Sequence, residues 1–141
     1  MKTFRDLKVF QSAIELMVEV YRATESYPKR EWYGLAAQMR RAACSVVSNI
    51  AEGQGRLTLG EWRQMLSHAR GSMFELEAQM IASSKLGYLT ATQMTQIDQH
   101  REKTSKLLVG LLRYVRTREL ATGNRPQVTT SAVPAKKPPS P

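Results

Sequence analysis

Apolar residues recur along this chain with the period of a helix, and no stretch alternates cleanly with the period of a strand. Leu35, Met39, Ala42, Val46 and Ile50 are spaced by four and three. They lie in an Ala-rich stretch with no Gly or Pro between Leu35 and Glu52, which predicts a helix from about Trp32 to Glu52. Trp62, Leu66, Ala69, Met73, Leu76 and Met80 predict a longer helix reaching Leu86. Upstream, Phe10, Ala13, Ile14, Met17 and Tyr21, widened by Val18 and Val20, predict a helix over 6–26, with Phe4 and Leu7 tucking the N-terminus in. Downstream, Met94, Ile97, Leu108, Leu111, Leu112 and Val115 mark a fourth helix. Arg101, Thr104 and Ser105 interrupt its stripe, so it is expected to be the most weakly packed.

The punctuation agrees. Tyr27-Pro28 closes the first segment, because a residue before proline is biased away from the helical region. Gly53 is expected to cap the second helix, and Gly87 to stop the third. Thr58…Glu61 and Thr90…Gln93 read as capping boxes that open the third and fourth. Four amphipathic helices with short linkers predict an all-α, antiparallel up-down-up-down four-helix bundle over residues 1–120. From residue 121 the chain turns to Pro, Thr, Ser, Ala and Lys, with four of its six prolines in the last eight positions. Residues 121–141 are expected to form a disordered basic tail.

The second helix carries more than a core stripe. Gln38, Arg41, Ser45, Asn49 and Glu52 keep the same spacings and form a narrow polar edge beside it. The remainder (Ala36, Ala37, Ala43, Cys44, Val47, Ala51) is apolar, with Arg40 the main exception. A helix apolar nearly all round is usually covered on several sides. In a short chain the second cover is expected from another subunit, so a homo-oligomer is predicted. Across a hairpin about residue 56, Ser72, Glu75 and Gln79 would face the polar edge. The edge is expected to be a structural network in which Arg41 meets Glu75. The competing reading has Arg41 aimed at phosphate.

The run Q-M-R-R-A-A-C-S-V-V-S-N-I-A-E-G, followed by Arg56, resembles the signature of the bacterial four helix bundle protein family. Members of that family include proteins encoded in intervening sequences of the large-subunit ribosomal RNA gene. It is similar in fold to the accessory variability determinant proteins of diversity-generating retroelements. F-R-D-L-K-V-F-Q-S-A near the N-terminus and A-R-G-S-M-F-E-L-E-A-Q later fit the same pattern, with Phe10 standing where Trp is expected. The resemblance covers roughly residues 4–118. It implies a bundle assembled into a ring, commonly a pentamer, with a basic surface. It does not imply a catalytic activity.

Charge sharpens the functional reading. The net charge is +9 over 141 residues; Arg125, Lys136 and Lys137 supply three of these, leaving +6 on residues 1–120. Such a balance favours polyanionic partners. The candidate nucleic-acid contacts are Arg40, Arg56, Arg63, Arg70, Lys106, Arg113 and Arg116, with Lys103, Arg118 and Tyr114 nearby. Arg63 and Arg70 are seven apart and expected to be free surface side chains.

Other chemistries find little support. Neither His68 nor His100 completes the Glu-x-x-His pattern of a di-iron bundle, so no metal or cofactor is expected. Gly53-Gln54-Gly55-Arg56 follows a helix and lacks the Lys-Ser/Thr of a phosphate loop. No nucleophile has a base at helical spacing. Cys44, the single cysteine, is expected to be a buried inert thiol. No apolar run reaches the ~18 residues of a membrane span, and the charged N-terminus lacks a signal-peptide pattern, so the protein is expected in the cytoplasm. The leading expectation is a non-enzymatic RNA- or DNA-binding accessory subunit, with a reverse transcriptase as one class of partner. The alternative is an adaptor oligomer that binds proteins and is basic for solubility. A membrane-surface role ranks third, because the helices turn their apolar faces inward.

Overall fold

The computed structural model describes residues 3–122. A 3-10 turn, Phe4–Asp6, precedes α1 (Lys8–Thr24); a second, Lys29–Glu31, precedes α2 (Leu35–Gln54); α3 (Leu59–Lys85) and α4 (Ala91–Thr122) follow. Each helix packs on its sequence neighbours, α4 closes on α1, and the α2–α3 pairing is the most extensive. The result is an all-α four-helix bundle.

Helices two and three bury the stripes their periodicity predicts. Met39, Ala42, Val46 and Ile50 on α2 meet Trp62, Leu66, Ala69, Met73, Leu76 and Met80 on α3, all within one core cluster. Leu35 packs against that cluster half-buried. Helix one turns inward a face rotated from the predicted one, keeping Ala13 and Val20 of the predicted set in the core and Phe10 and Met17 at its margin. Val9, Ala13, Leu16, Val20 and Ala23 are buried, while Phe10, Ile14 and Met17 are half-buried and Tyr21 is exposed. Both sets satisfy helical spacing, so periodicity alone could not choose; the packing of α1 between α2 and α4 does.

Part of the second face of α2 is met within the chain. Cys44 Sγ lies 3.4 Å from the Tyr21 hydroxyl and donates to Met17 Sδ at 3.7 Å, leaving the thiol half-buried against α1. Ala37, Val47 and Ala51 on that face stay half-buried, so the chain covers it only in part.

The helix ends show what each signal does. Thr58 accepts from the Glu61 amide at 3.1 Å, and Thr90 and Gln93 exchange bonds of 2.9 and 3.1 Å. Gly87 takes φ +79°, the left-handed conformation that ends α3 at low steric cost. Gly53 is not a cap. It lies inside α2, and a Cβ there would sit 2.9 Å from Trp62 Cδ1 and 3.2 Å from Met65 Cβ. Its missing side chain is what lets α2 approach α3 closely. Upstream, Trp32 is in a turn rather than on α2, whose first residue is Leu35.

Helix four holds better in its middle than its interrupted stripe suggests. Thr104 is fully buried; its hydroxyl donates to the His100 carbonyl at 2.8 Å and lies 2.7 Å from Ser12 Oγ on α1. Arg101 Nε donates to Asp98 at 2.7 Å, and its Nη2 pairs with Glu77 of α3 at 3.4 Å. Helix four continues through Thr122, past the expected boundary at 121. The rest of the expected tail, 123–141, lies outside the described residues.

Candidate nucleic-acid interface

Helix four presents its charges outward because Ile97, Thr104, Leu108, Leu112 and Val115 occupy its inner face. Arg113 and Arg116 are three residues apart and therefore neighbours on one face. Arg70 of α3 joins them across a groove of about 230 Å³, whose remaining lining is Val109, Leu112, Thr117 and Leu120. Among the described residues no carboxylate lines this groove. None of the three arginines pairs with an acid among the described residues. The Arg70 guanidinium lies 5.3 Å from the centroid of the exposed Phe74 ring. Such a stack holds the planar fork in place while leaving its edge donors open to an anion.

A second groove, of about 450 Å³, separates α4 from α1. Lys8, Lys103 and Lys106 line it with Gln11, Ser12, Glu15 and Leu107. Glu15 weakens the positive field there.

The other predicted contacts are already engaged. Arg63 Nε donates to Glu119 at 2.7 Å, so it ties α3 to the end of α4 instead of standing free. Arg40 Nε donates to Thr24 Oγ1 at 2.8 Å, its Nη2 donates to the Tyr21 carbonyl at 3.2 Å, and its guanidinium stacks 4.6 Å from the Tyr21 ring. It fastens α2 to the last turn of α1. Arg56 pairs with Glu52 at 3.4 Å and reaches Met65 Sδ at 3.8 Å. Of the seven predicted contacts, the structure brings Arg70, Arg113 and Arg116 together at one groove, with Lys106 on the α1 side and Arg40, Arg56 and Arg63 at other places on the bundle.

The polar edge is assembled largely as its spacing predicts. Gln38, Arg41 and Ser45 face Ser72, Glu75 and Gln79 across a cleft of about 370 Å³ between α2 and α3. Ser72 donates to Ser45 Oγ at 2.8 Å, and Asn49 Nδ2 donates to the Ser45 carbonyl and hydroxyl at 2.8 and 3.0 Å. Arg41 and Glu75 are both exposed and form no ion pair among the described residues, contrary to the expected buried pair. Gln79 Oε1 is buried there without a hydrogen-bond partner among the described residues.

Periodicity missed the Arg101 and Thr104 anchors, which it took for breaks in a stripe. It also missed Tyr21 and Tyr27 as perturbed phenols. The hydrogen bond with Cys44 is the main influence raising Tyr21, with the Cys44 charge and burial adding to it. Burial raises Tyr27. Among the described residues no group of three or more His, Cys, Asp or Glu could hold a metal ion, and no helix is long and apolar enough to cross a membrane.

Residues 5–110 match the profile of a family described as 23S rRNA-intervening sequence protein. A crystal structure of a protein with unknown function from the S23 ribosomal protein family of Bacteroides thetaiotaomicron superposes with a TM-score of 0.69 at 19% identity. The match covers 74% of this chain and 95% of that one, and at this identity it shows a shared fold. No curated protein matches.

Proposed function

The chain belongs to the 23S rRNA-intervening sequence protein family, and from that premise we propose a non-enzymatic, cytoplasmic RNA-binding accessory protein whose contact surface is the α3–α4 groove. The observation that carries this reading is the convergence of Arg70, Arg113 and Arg116 on one groove with no lining acid. Arginines held together without carboxylate partners favour a polyanion, and their forks fit phosphate oxygens bidentately. Lys103 and Lys106 extend the positive surface along α4. Single-stranded RNA is the preferred ligand and DNA the lesser one; a reverse transcriptase is one class of partner.

The reading includes an antiparallel course for the helices. It is supported by descending contact pairs such as Ser12–Thr104 with Glu15–His100, and Arg63–Glu119 with Glu77–Arg101. It also includes assembly into a ring, with five subunits as the expected number. Support comes from the cleft with its unpartnered Gln79 oxygen and from Phe74, Ile81 and Leu86, all exposed on or just beyond α3. The exposed apolar groups also favour the adaptor reading, which the same experiment separates.

Titrating single-stranded RNA against the protein from about 50 to 300 mM salt tests the proposal. Three phosphate contacts contribute about 2 to the negative slope of log K on log salt, at ~0.7 per contact on a single strand. Replacing Arg70, Arg113 and Arg116 together by Ala should flatten the slope by that amount and leave the circular dichroism unchanged. Light scattering on the same samples should give several times 15.9 kDa. No binding at 50 mM salt would favour the adaptor, and unchanged binding by the triple variant would move the contact elsewhere.

A further inference from the structure

The turn between α1 and α2 exposes two consecutive aromatic side chains. Trp32 is half exposed and Tyr33 is 94% exposed. Tyr33 therefore contributes almost nothing to the core, yet it keeps a large apolar face in water. The turn is nonetheless pinned. Trp32 Nε1 donates to the Tyr27 carbonyl at 3.3 Å, and Lys29 Nζ lies 5.9 Å from the Trp32 ring centroid. Glu31 accepts from the Leu35 amide at 3.2 Å and from the Tyr88 hydroxyl at 3.0 Å. The rings are held by a fixed backbone.

Both aromatics line a cavity of about 320 Å³ with Thr24, Glu25, Ala36 and Arg40. That volume sits near the lower end of ligand sites, which suits a small flat group. The guanidinium of Arg40 is already immobilised by Thr24, the Tyr21 carbonyl and the Tyr21 ring. It supplies a positioned donor edge without further ordering cost. Glu25 supplies an acceptor on the same wall. Lys29 and Arg30 stand exposed close by, where a backbone phosphate would run.

We infer that this cavity takes one unpaired nucleobase of a bound single strand, stacked on Tyr33 and Trp32 and held at its edge by Arg40 and Glu25. The inference rests on the RNA-binding reading above and adds a base contact at the α1–α2 turn, separate from the phosphate contacts of the α3–α4 groove. Unstacked bases are what proteins most often read in RNA, and aromatic faces are their usual platform. Stacking tolerates any base, so the cavity would add affinity with modest sequence preference.

Fluorescence tests this directly. The chain has two tryptophans, and Trp62 is buried in the core, so an external quencher reaches Trp32. An RNA octaadenylate should quench the emission; an abasic ribose-phosphate octamer of equal charge should bind without quenching. Trp32→Phe should abolish the quench. Tyr33→Ala should weaken octaadenylate binding roughly five- to 150-fold, the range for loss of one stacked base, with the salt slope unchanged. Tyr33→Phe should restore it. If octaadenylate binds with the wild-type slope but neither quenches nor responds to Tyr33→Ala, the cavity is not a base site while the arginine groove stands. If Tyr33→Ala lowers the mass in light scattering and no quench occurs, the aromatics form a subunit contact and the inference fails. Absence of RNA binding in every sample would overturn both readings.

Discussion

Replacing Thr104 with valine should destabilise the bundle out of proportion to the one atom changed. Thr104 is 0% exposed and Ser12 only 2% exposed, so neither hydroxyl reaches water. Thr104 has a single hydroxyl proton, which it donates to the His100 carbonyl; Ser12 must therefore be the donor across the 2.7 Å contact. Valine keeps the shape and removes the acceptor, leaving the Ser12 hydroxyl buried and unpaired. The cost of such an orphan is ~1–3 kcal/mol. Ser12→Ala removes the donor instead and leaves Thr104 bonded to His100, so its cost should be nearer ~0.5–1.5 kcal/mol. The double variant leaves no orphan on either side and should cost clearly less than the sum, with a coupling on the order of 1 kcal/mol. Urea unfolding of the four proteins measures this, provided the slope m is the same in all. In a melt, each kcal/mol corresponds to on the order of 4 °C for a body of this size. Additive costs, or a Thr104→Val cost below ~0.5 kcal/mol, would show that the two hydroxyls are not paired and that α4 finds its rotation by other means.

Three further outcomes are expected. Gly53→Ala should lower the melting temperature despite a better helix propensity, by ~1–3 kcal/mol from overpacking against Trp62 and Met65, where a new methyl would sit at 2.9 and 3.2 Å. Arg63→Ala should cost up to ~1 kcal/mol, because its bridge to Glu119 is short but its side chain is 40% exposed and screened. Arg70→Ala, with no acid partner among the described residues, should stay within ~0.5 kcal/mol of wild type; parallel melts distinguish them. Burial raises the Tyr27 pKa in the folded state, so the folded protein holds that proton more tightly than the unfolded chain. Stability is then fully present below the usual phenol value near 10 and falls as pH rises above it. Tyr27→Phe should make the decline in melting temperature from about pH 9 to about pH 11 shallower.

These cases show which parts of the molecule the sequence reveals. The cores of α2 and α3 were legible because Met39, Val46 and Ile50, and Trp62, Leu66, Leu76 and Met80, keep one helical register. Helix one offers two overlapping apolar faces, and only its neighbours decide that Val9 and Leu16 go inward. Gly53 carried a stop signal that a contact with Trp62 overrode. Thr104 looked like an interruption because its partner, Ser12, lies 92 positions away. The same blindness to long-range pairing made Arg63 look free, since Glu119 is 56 positions distant. The polar edge was readable because Ser45 and Ser72 each sit beside a clear stripe. The fate of Arg41 was not, because exposure depends on how far two helices stand apart.

The length of α4 has a dynamic consequence. It runs 32 residues against 17 in α1, about 22 Å longer at 1.5 Å per residue. After Val115 none of its described residues is buried, and the ion pair of Glu119 with Arg63 ties this last stretch to α3. Its final two turns should therefore exchange their amide hydrogens through local opening at a small fraction of the global unfolding free energy. Arg116 sits where the protected part gives way to this fraying end, with Arg113 just before it. A ligand that grips both would have to quiet the opening, so binding should slow amide exchange most over residues 116–122. Part of its interaction energy would go into that ordering, and a helix cut back by one turn, after Arg118, would bind more weakly with Arg70, Arg113 and Arg116 all retained.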